Sequence, residues 1–229
     1  RALEQQGVAG IDINMGCPAK KIVHSQHGSG LMRDVKQACR IVSAVANACS
    51  LQVSVKTRLG WQDADNLVPF TCALVDAGAS LITIHGRTYG QQFGGQADWA
   101  PIHALKQHLS VPLLGNGDVA HHEDGLARMG PLDGFMIGRA AIGNPWVFLP
   151  HAHQRNPDLA ERIAVMLQHF EYMRETRHEH RAILEFRKHL VGYLRGFNDA
   201  KAARVRLLRV DNEAALRDEL AALTVAVAA

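Results

Sequence analysis

The sequence predicts an α/β fold: a TIM (β/α)8 barrel lacking its first strands in this chain, over residues 1–150, followed by a small all-helical domain over 151–229. Three observations support this. Apolar strand-like runs alternate with helix-like segments as far as Pro150, each run ends in polar or glycine-rich residues, and after Pro150 only helical periodicity continues.

In chain order, residues 2–7 read as the tail of a helix leading into a strand at 11–14. Further strands are expected at 52–56, 81–85, 112–116 and 134–138, separated by helices near 34–48, 64–77, 99–109 and 122–129, with a short helix starting at Ala140. Elements alternating in this way pair in parallel through right-handed crossovers. Residues 81–84 and 135–137 are almost wholly apolar, as strands covered on both faces are. The strands end in Asn14-Met15-Gly16-Cys17-Pro18, Lys56-Thr57-Arg58, His85-Gly86-Arg87-Thr88, Asn116-Gly117-Asp118 and Gly138-Arg139. A barrel gathers its chemistry at the carboxyl ends of all strands, whereas an open doubly wound sheet uses one crevice, so five loaded ends favour the barrel. Five strands leave three βα units to be supplied; at roughly 30 residues per unit, on the order of 90 further residues are expected upstream of Arg1. Beyond Pro150, helices are expected over 158–180, 182–197 and 213–223.

Of the 229 residues, 47% are hydrophobic and 21% charged, which excludes a disordered or collagen-like chain. No apolar run approaches the roughly 18 to 20 residues of a membrane-spanning helix. Cys17, Cys39, Cys49 and Cys72 lack C-x-x-C pairing, which points to a reducing compartment, the cytoplasm, without structural zinc. The thirteen histidines lack a matching set of carboxylate or thiolate ligands, so no metal is expected. Net charge is unevenly divided: residues 174–209 hold ten Lys or Arg against four acids, so this stretch is +6 in a chain of +3. That pattern fits a polyanionic partner such as nucleic acid, or a solvated helical face.

Several side chains at the strand ends are candidates for chemistry. Cys17 lies between Gly16 and Pro18, where the proline withholds a backbone donor and disfavours an immediate helix, so the thiol is expected to be accessible. Cys39, Cys49 and Cys72 fall on expected helices among apolar neighbours and read as packing. Lys56 would bring a cation into the barrel mouth, a costly placement unless a ligand anion or carbonyl meets it, or unless Asp12 or Asp118 pairs with it. His85 closes an apolar strand and is either a donor to a ligand or a satisfied core imidazole. Gly115-Asn116-Gly117-Asp118 and Ile137-Gly138-Arg139-Ala140-Ala141 close the last two strands, where barrels commonly hold phosphate on exposed backbone N–H groups. No Walker loop, complete dinucleotide fingerprint or G-x-S-x-G elbow is present.

The string Gly10-Ile11-Asp12-Ile13-Asn14-Met15-Gly16-Cys17-Pro18-Ala19-Lys20-Lys21 resembles the signature of the tRNA-dihydrouridine synthases. The similarity continues through Val55-Lys56-Thr57-Arg58-Leu59-Gly60-Trp61, Ile84-His85-Gly86-Arg87-Thr88, Gly115-Asn116-Gly117-Asp118 and Ile137-Gly138-Arg139-Ala140-Ala141-Ile142-Gly143-Asn144-Pro145-Trp146. Phe186-Arg187-Lys188-His189 and Tyr193-Leu194-Arg195-Gly196 resemble that family's helical RNA-binding region. The resemblance implies an FMN enzyme that uses NADPH (or NADH) to reduce uridine in tRNA. It implies Cys17 as proton donor, Lys56 and His85 as flavin contacts, and Asn116, Gly117, Asp118, Gly138 and Arg139 around the flavin phosphate. Asn14 and Arg87 would border the uracil, and Arg187 and Lys188 would grip the tRNA backbone. The family's amino-terminal FMN-contacting loop and flavin-binding glutamine have no counterpart in this sequence.

The implied chemistry needs an acid over C5 of the uracil, and a thiol, with an ordinary pKa of about 8.5, is suited to that. It also needs the target nucleotide everted from the RNA stack. Two other readings of the residues stay open: an FMN-dependent dihydropyrimidine or dihydroorotate dehydrogenase acting on free bases, and a non-catalytic RNA-binding fragment.

Overall fold

The computed structural model describes residues 1–151, 155–196 and 200–228. Backbone contacts divide the chain into two compact units, Arg1–Gly138 and Arg139–Ala229. The boundary expected after residue 150 falls inside the second unit, because the 3-10 turns Arg139–Ala141 and Pro145–Phe148 pack on each other and Trp146 joins the helical core.

In the first unit, strands β1 (Gly10–Asn14), β2 (Gln52–Arg58), β3 (Leu81–His85), β4 (Leu113–Asn116) and β5 (Gly134–Met136) form one parallel sheet in the order β1-β2-β3-β4-β5. Helices α1 (Ala2–Gln5), α2 (Lys20–His24), α3 (Val35–Ala46), α4 (Leu67–Asp76), α5 (Ala100–Leu105) and α6 (His122–Met129) belong to this unit. Strands laid down sequentially in parallel, with right-handed crossovers, send their helices to a single face, and the order has no reversal of the doubly wound kind.

The helix-covered face is apolar: Val55, Ile82, Ile84 and Leu113 share one core with Val42 of α3, Leu74 of α4 and Ile102 of α5. Alternation with period two therefore turns Asn14, Lys56, Arg58, His85 and Asn116 to the opposite face. The register brings them together, pairing Asn14 with Lys56, Arg58 with His85 and His85 with Asn116. β2 runs two residues beyond its expected end, to Arg58, while β5 stops at Met136. Asp34 starts α3 by accepting the Gln37 N–H at 2.9 Å, a side-chain cap for an otherwise orphaned donor.

In the second unit, α7 (Leu159–Thr176), α8 (Glu179–Tyr193), α9 (Ala200–Leu207) and α10 (Glu213–Ala228) follow the two 3-10 turns. They bury Met166, Phe170, Phe186, Leu190, Leu207 and Leu220 in a core separate from that of the sheet. The helix expected over 158–180 ends at Thr176, because Arg177 and His178 take extended backbone (ψ 145 and 148) before α8 begins. Asp158 caps α7 through the Glu161 N–H at 2.8 Å. The expected helix end at Phe197, and the acid Asp199 in the charge count, lie outside the described residues. Among the described residues no helix is long and apolar enough to cross a membrane.

Candidate active site

The Cys17 loop is fixed to the carboxyl edge of the sheet by backbone and side-chain bonds. Met15 N–H donates to the Lys56 carbonyl at 2.8 Å, and the Thr57 hydroxyl donates to the Met15 carbonyl at 3.2 Å. Asn14 Oδ1 accepts the Gly16 N–H at 3.0 Å, a local side-chain turn that bends the chain toward Cys17. The Ser29 N–H donates to the Cys17 carbonyl at 3.0 Å. The residue is half-buried and lies outside the apolar core.

Arg58 braces this loop. Its guanidinium is 3% exposed, donates from Nε to the Gly16 carbonyl at 2.8 Å and from Nη1 to the Gln92 and Thr88 carbonyls at 2.8 and 3.2 Å, and lies over the Phe93 ring. Burial, then the charge of Arg87, pull its pKa below the usual arginine range, while the nearby Cys17 sulfur opposes them. A negative charge on that sulfur would therefore meet a cation held beside it. Arg58 stands two residues beyond Lys56, so the alternation that turns one to this face turns the other there too. That spacing is the signal in the sequence that places Arg58 at the site beside Lys56.

Lys56 is half-buried, and among the described residues its side-chain ammonium has neither a hydrogen bond nor an ion pair. Burial and Arg58 push its pKa below the ordinary lysine value, with Asp12 opposing. Asp12 itself accepts a hydrogen bond from the Ser54 hydroxyl at 2.7 Å. A cation in this position calls for an anionic or carbonyl partner.

His85, 8% exposed, is neutral: burial, followed by the charges of Arg58, Lys56 and Arg87, pushes its pKa down to about 3. Its Nε2 lies 3.4 Å from Arg87 Nη1. A guanidinium has no acceptor, so Nε2 is the accepting nitrogen and the ring proton sits on Nδ1.

Arg87, 2% exposed, donates to the Gly94 and Gly95 carbonyls and pairs with Asp118 at 2.7 Å; Asp118 also accepts the Ala97 N–H at 2.8 Å. Both are thereby used to hold the 94–97 loop against the strand ends. Gly117 (φ +123) has no room for a side chain, since a Cβ there would lie 2.6 Å from that of Ala97 and 3.0 Å from the His85 ring. Asn116 Nδ2 donates to the Met136 carbonyl at 2.8 Å, tying β4 to β5. At Gly138 a Cβ would meet only Asn116 Nδ2, at 3.8 Å.

The remaining sequence candidates lie in the second unit. Arg139 opens it. Arg187 is half-buried and donates from Nη2 to the Val210 carbonyl at 2.8 Å, and its buried Nε lacks a partner among the described residues. Lys188 is exposed. Of the cysteines read as packing, Cys39 and Cys72 lie in α3 and α4, while Cys49 falls just past the end of α3.

The family model described as Dihydrouridine synthase (Dus) matches residues 1–228. A probable tRNA-dihydrouridine synthase of Rhizobium leguminosarum bv. phaseoli is 41% identical over 198 residues, covering 84% of this chain and 62% of the relative. Probable tRNA-dihydrouridine synthase 1 of Synechocystis sp. is 36% identical over 217 residues, covering 90% and 61%. tRNA-dihydrouridine synthase B of Xanthomonas campestris pv. campestris is 38% identical over 194 residues, covering 80% and 58%. The chain thus spans about six tenths of the length of these curated relatives. With a family match over nearly every residue, and with that family's strand-end motifs assembled on one face of a parallel sheet, the chain belongs to the dihydrouridine synthase family.

Proposed function

We propose that this chain carries the chemistry of an FMN-dependent tRNA-dihydrouridine synthase, which reduces uridine in tRNA to 5,6-dihydrouridine with NADPH or NADH as reductant in the cytoplasm. The observation that supports it most is the gathering, at one sheet edge, of the Cys17 loop, an unpartnered cation at Lys56 and a neutral imidazole at His85. In this reading the sheet is the later part of a TIM barrel, and the helical unit contributes to tRNA binding.

The residues present fit a flavin mononucleotide. The Lys56 cation and the His85 Nδ1–H are donors suited to the carbonyl-rich edge of the ring, and Gly138, where a Cβ would meet only Asn116 Nδ2 at 3.8 Å, leaves room for a phosphate on backbone N–H groups of Asn116–Asp118. Asp118 contributes through its backbone, its carboxylate being committed to Arg87. When bound, the flavin supplies the hydride that adds to C6 of the uracil.

Cys17 gives its thiol proton to C5, so the C5=C6 bond gains one hydride and one proton. The thiolate left behind faces the Arg58 charge and recovers its proton from water. Asn14 borders the uracil from the same edge as Cys17. Arg87 is spent on the 94–97 loop and on His85, and it acts by orienting them. A stacked base is out of reach of this edge, so the uridine is everted, while Lys188 and its neighbour Arg187 hold the phosphate backbone.

The test is incubation of the intact protein with FMN, NADPH and tRNA transcribed without modifications. The expected result is retained flavin absorbance and a gain of two hydrogens at a uridine, read by mass spectrometry. Flavin-loaded protein that turns over free pyrimidine bases and leaves tRNA untouched contradicts the reading.

A further inference from the structure

Beside the face already described, the first unit carries a second grouping that the reduction does not use. The 3-10 turn Gly28–Arg33 starts against the Cys17 loop: Ser29 N–H donates to the Cys17 carbonyl, and a Cβ at Gly28 (φ +55) would lie 2.8 Å from that same oxygen. The turn ends at Arg33, an exposed residue whose guanidinium lies 4.9 Å from the centroid of the Trp61 ring. Trp61 in turn stacks on Tyr89, with centroids 3.9 Å apart and planes 16° from parallel. Among the described residues Arg33 has no hydrogen-bonded or ion-paired partner. An arginine held over an indole has lost much of its rotamer freedom while keeping its fork of donors, which preorganises it for an oxyanion such as a phosphate.

Next to Arg33 is a groove of about 320 Å³ lined by Val23, Gln26, Arg33, Asp34, Gln37 and Trp61, among others. Its polar groups differ in what they have left to offer. The Asp34 carboxylate caps α3, and its negative charge disfavours a second phosphate. Gln37 Oε1 accepts from Arg40, so its amide N–H₂ is the free end. Gln26 is exposed on a left-handed backbone (φ +58) at the end of α2. From Ile13 to Arg33 the sequence has no acid but includes Lys20, Lys21 and Arg33. One anion and one flat polar body are what such a groove accommodates.

We propose that this groove holds one nucleotide of the RNA strand flanking the reacting uridine, with its phosphate on Arg33 and a base carbonyl on the amides of Gln37 and Gln26. The inference rests on the tRNA reading above and adds to it a point of grip on the sheet unit, tied through the Gly28–Arg33 turn to the Cys17 loop. A strand whose uridine is everted toward Cys17 has its neighbouring phosphates passing close by, and a preset arginine there fixes the register of the strand. The phosphate and base of a free nucleotide, such as the adenylate half of the reductant, offer the same chemistry, and the experiment separates the two.

The experiment measures the tRNA dissociation constant of the intact protein, and its dependence on salt, for wild type, Arg33→Ala, Arg33→Lys and Gln37→Ala, alongside the KM for NADPH. Circular dichroism and the melting midpoint check folding, and all three substitutions sit at a surface groove. Arg33→Ala is expected to raise Kd about tenfold and to flatten the log–log salt slope by roughly 0.7 to 0.9, the value of one phosphate contact. Arg33→Lys keeps the slope and weakens binding about threefold, having lost the stacked fork. Gln37→Ala weakens binding with an unaltered slope. A wild-type Kd and slope in folded Arg33→Ala overturns the assignment, as does a rise in the NADPH KM with tRNA binding unchanged. If the wild-type protein itself fails to bind tRNA, the functional reading falls and this assignment with it.

Discussion

The two units treat charge in opposite ways. In the sheet unit, cations converge: Lys56 and Arg58 on β2 and Arg87 just beyond the end of β3 lie near a neutral imidazole, and among the described residues the Lys56 ammonium is left without a bonded partner. In the helical unit several of the arginines are answered by nearby acids. Arg174 pairs with Glu213, Arg177 and Arg181 share Glu185, and Arg206 pairs with Glu219. A tally of +6 over residues 174–209 therefore overstates what that surface offers an anion, while two or three side chains on a sheet edge offer more than their number implies. Placement of charge, more than its sum, marks where a ligand is held.

The contrast is sharpest at Lys56. Lys56→Met removes a cation that lacks a partner, so the flavin-free protein is expected to melt at a higher temperature while its flavin dissociation constant rises about tenfold or more. Differential scanning calorimetry and flavin absorbance after gel filtration read the two effects. A lower melting point with unchanged flavin retention would make Lys56 a structural residue and erase the difference between the units.

Within the helical unit, the neighbours Arg187 and Lys188 are expected to separate. Arg187→Ala loses the bond to the Val210 carbonyl and should cost about 1 kcal/mol of stability in chemical denaturation. Lys188→Ala should leave stability within about 0.5 kcal/mol of wild type, raise the tRNA Kd about threefold and reduce the salt slope by roughly 0.7 to 0.9. An unaltered salt slope for Lys188→Ala would remove it from the RNA contact.

The smallest effect is one of pH. His189 has its pKa pushed down to about 4 by burial, then by His169 and Lys188, and His169 is lowered by burial and by Lys188. The unfolded chain, with histidines near 6.5, binds protons before the folded one does. Stability is thus fully present above about pH 6.5 and declines as pH falls toward 4. Urea denaturation between pH 7 and 4 should show this decline, and His189→Leu should flatten it. A slope that His189→Leu leaves unchanged would assign the decline to other groups, among them His85, whose pKa is pushed to about 3.

The sheet was legible because its signal is local. The apolar runs at 81–85 and 113–116 are flanked by glycine and polar residues, and each became the strand its composition suggests. Elements without such a signal were missed. α2 has five residues, too few for periodicity, and α9 is an alanine- and arginine-rich segment whose apolar stripe is weak. The break at Arg177 and His178 has no glycine or proline to announce it, since extended backbone there is set by the packing of α7 on α8.

At the site, the sequence pointed to Cys17, Lys56 and His85 because a thiol, a lysine and an imidazole stand out at strand ends. It could not foretell that Arg87 and Asp118 bond to each other across 31 positions, a pairing that depends on β3 lying beside β4. Nor did it distinguish Arg33 from any other surface arginine, because its contact with the stacked Trp61 and Tyr89 joins residues from three separate segments of the chain.

The most direct test of the account follows dihydrouridine by mass spectrometry in tRNA from cells lacking the gene, then supplied with the wild-type gene or with Cys17→Ala. The account predicts loss of dihydrouridine on deletion, restoration by the wild-type gene, and a yield reduced about a hundredfold or more with Cys17→Ala although the protein still holds flavin. Full restoration by Cys17→Ala, or no change on deletion, would contradict it.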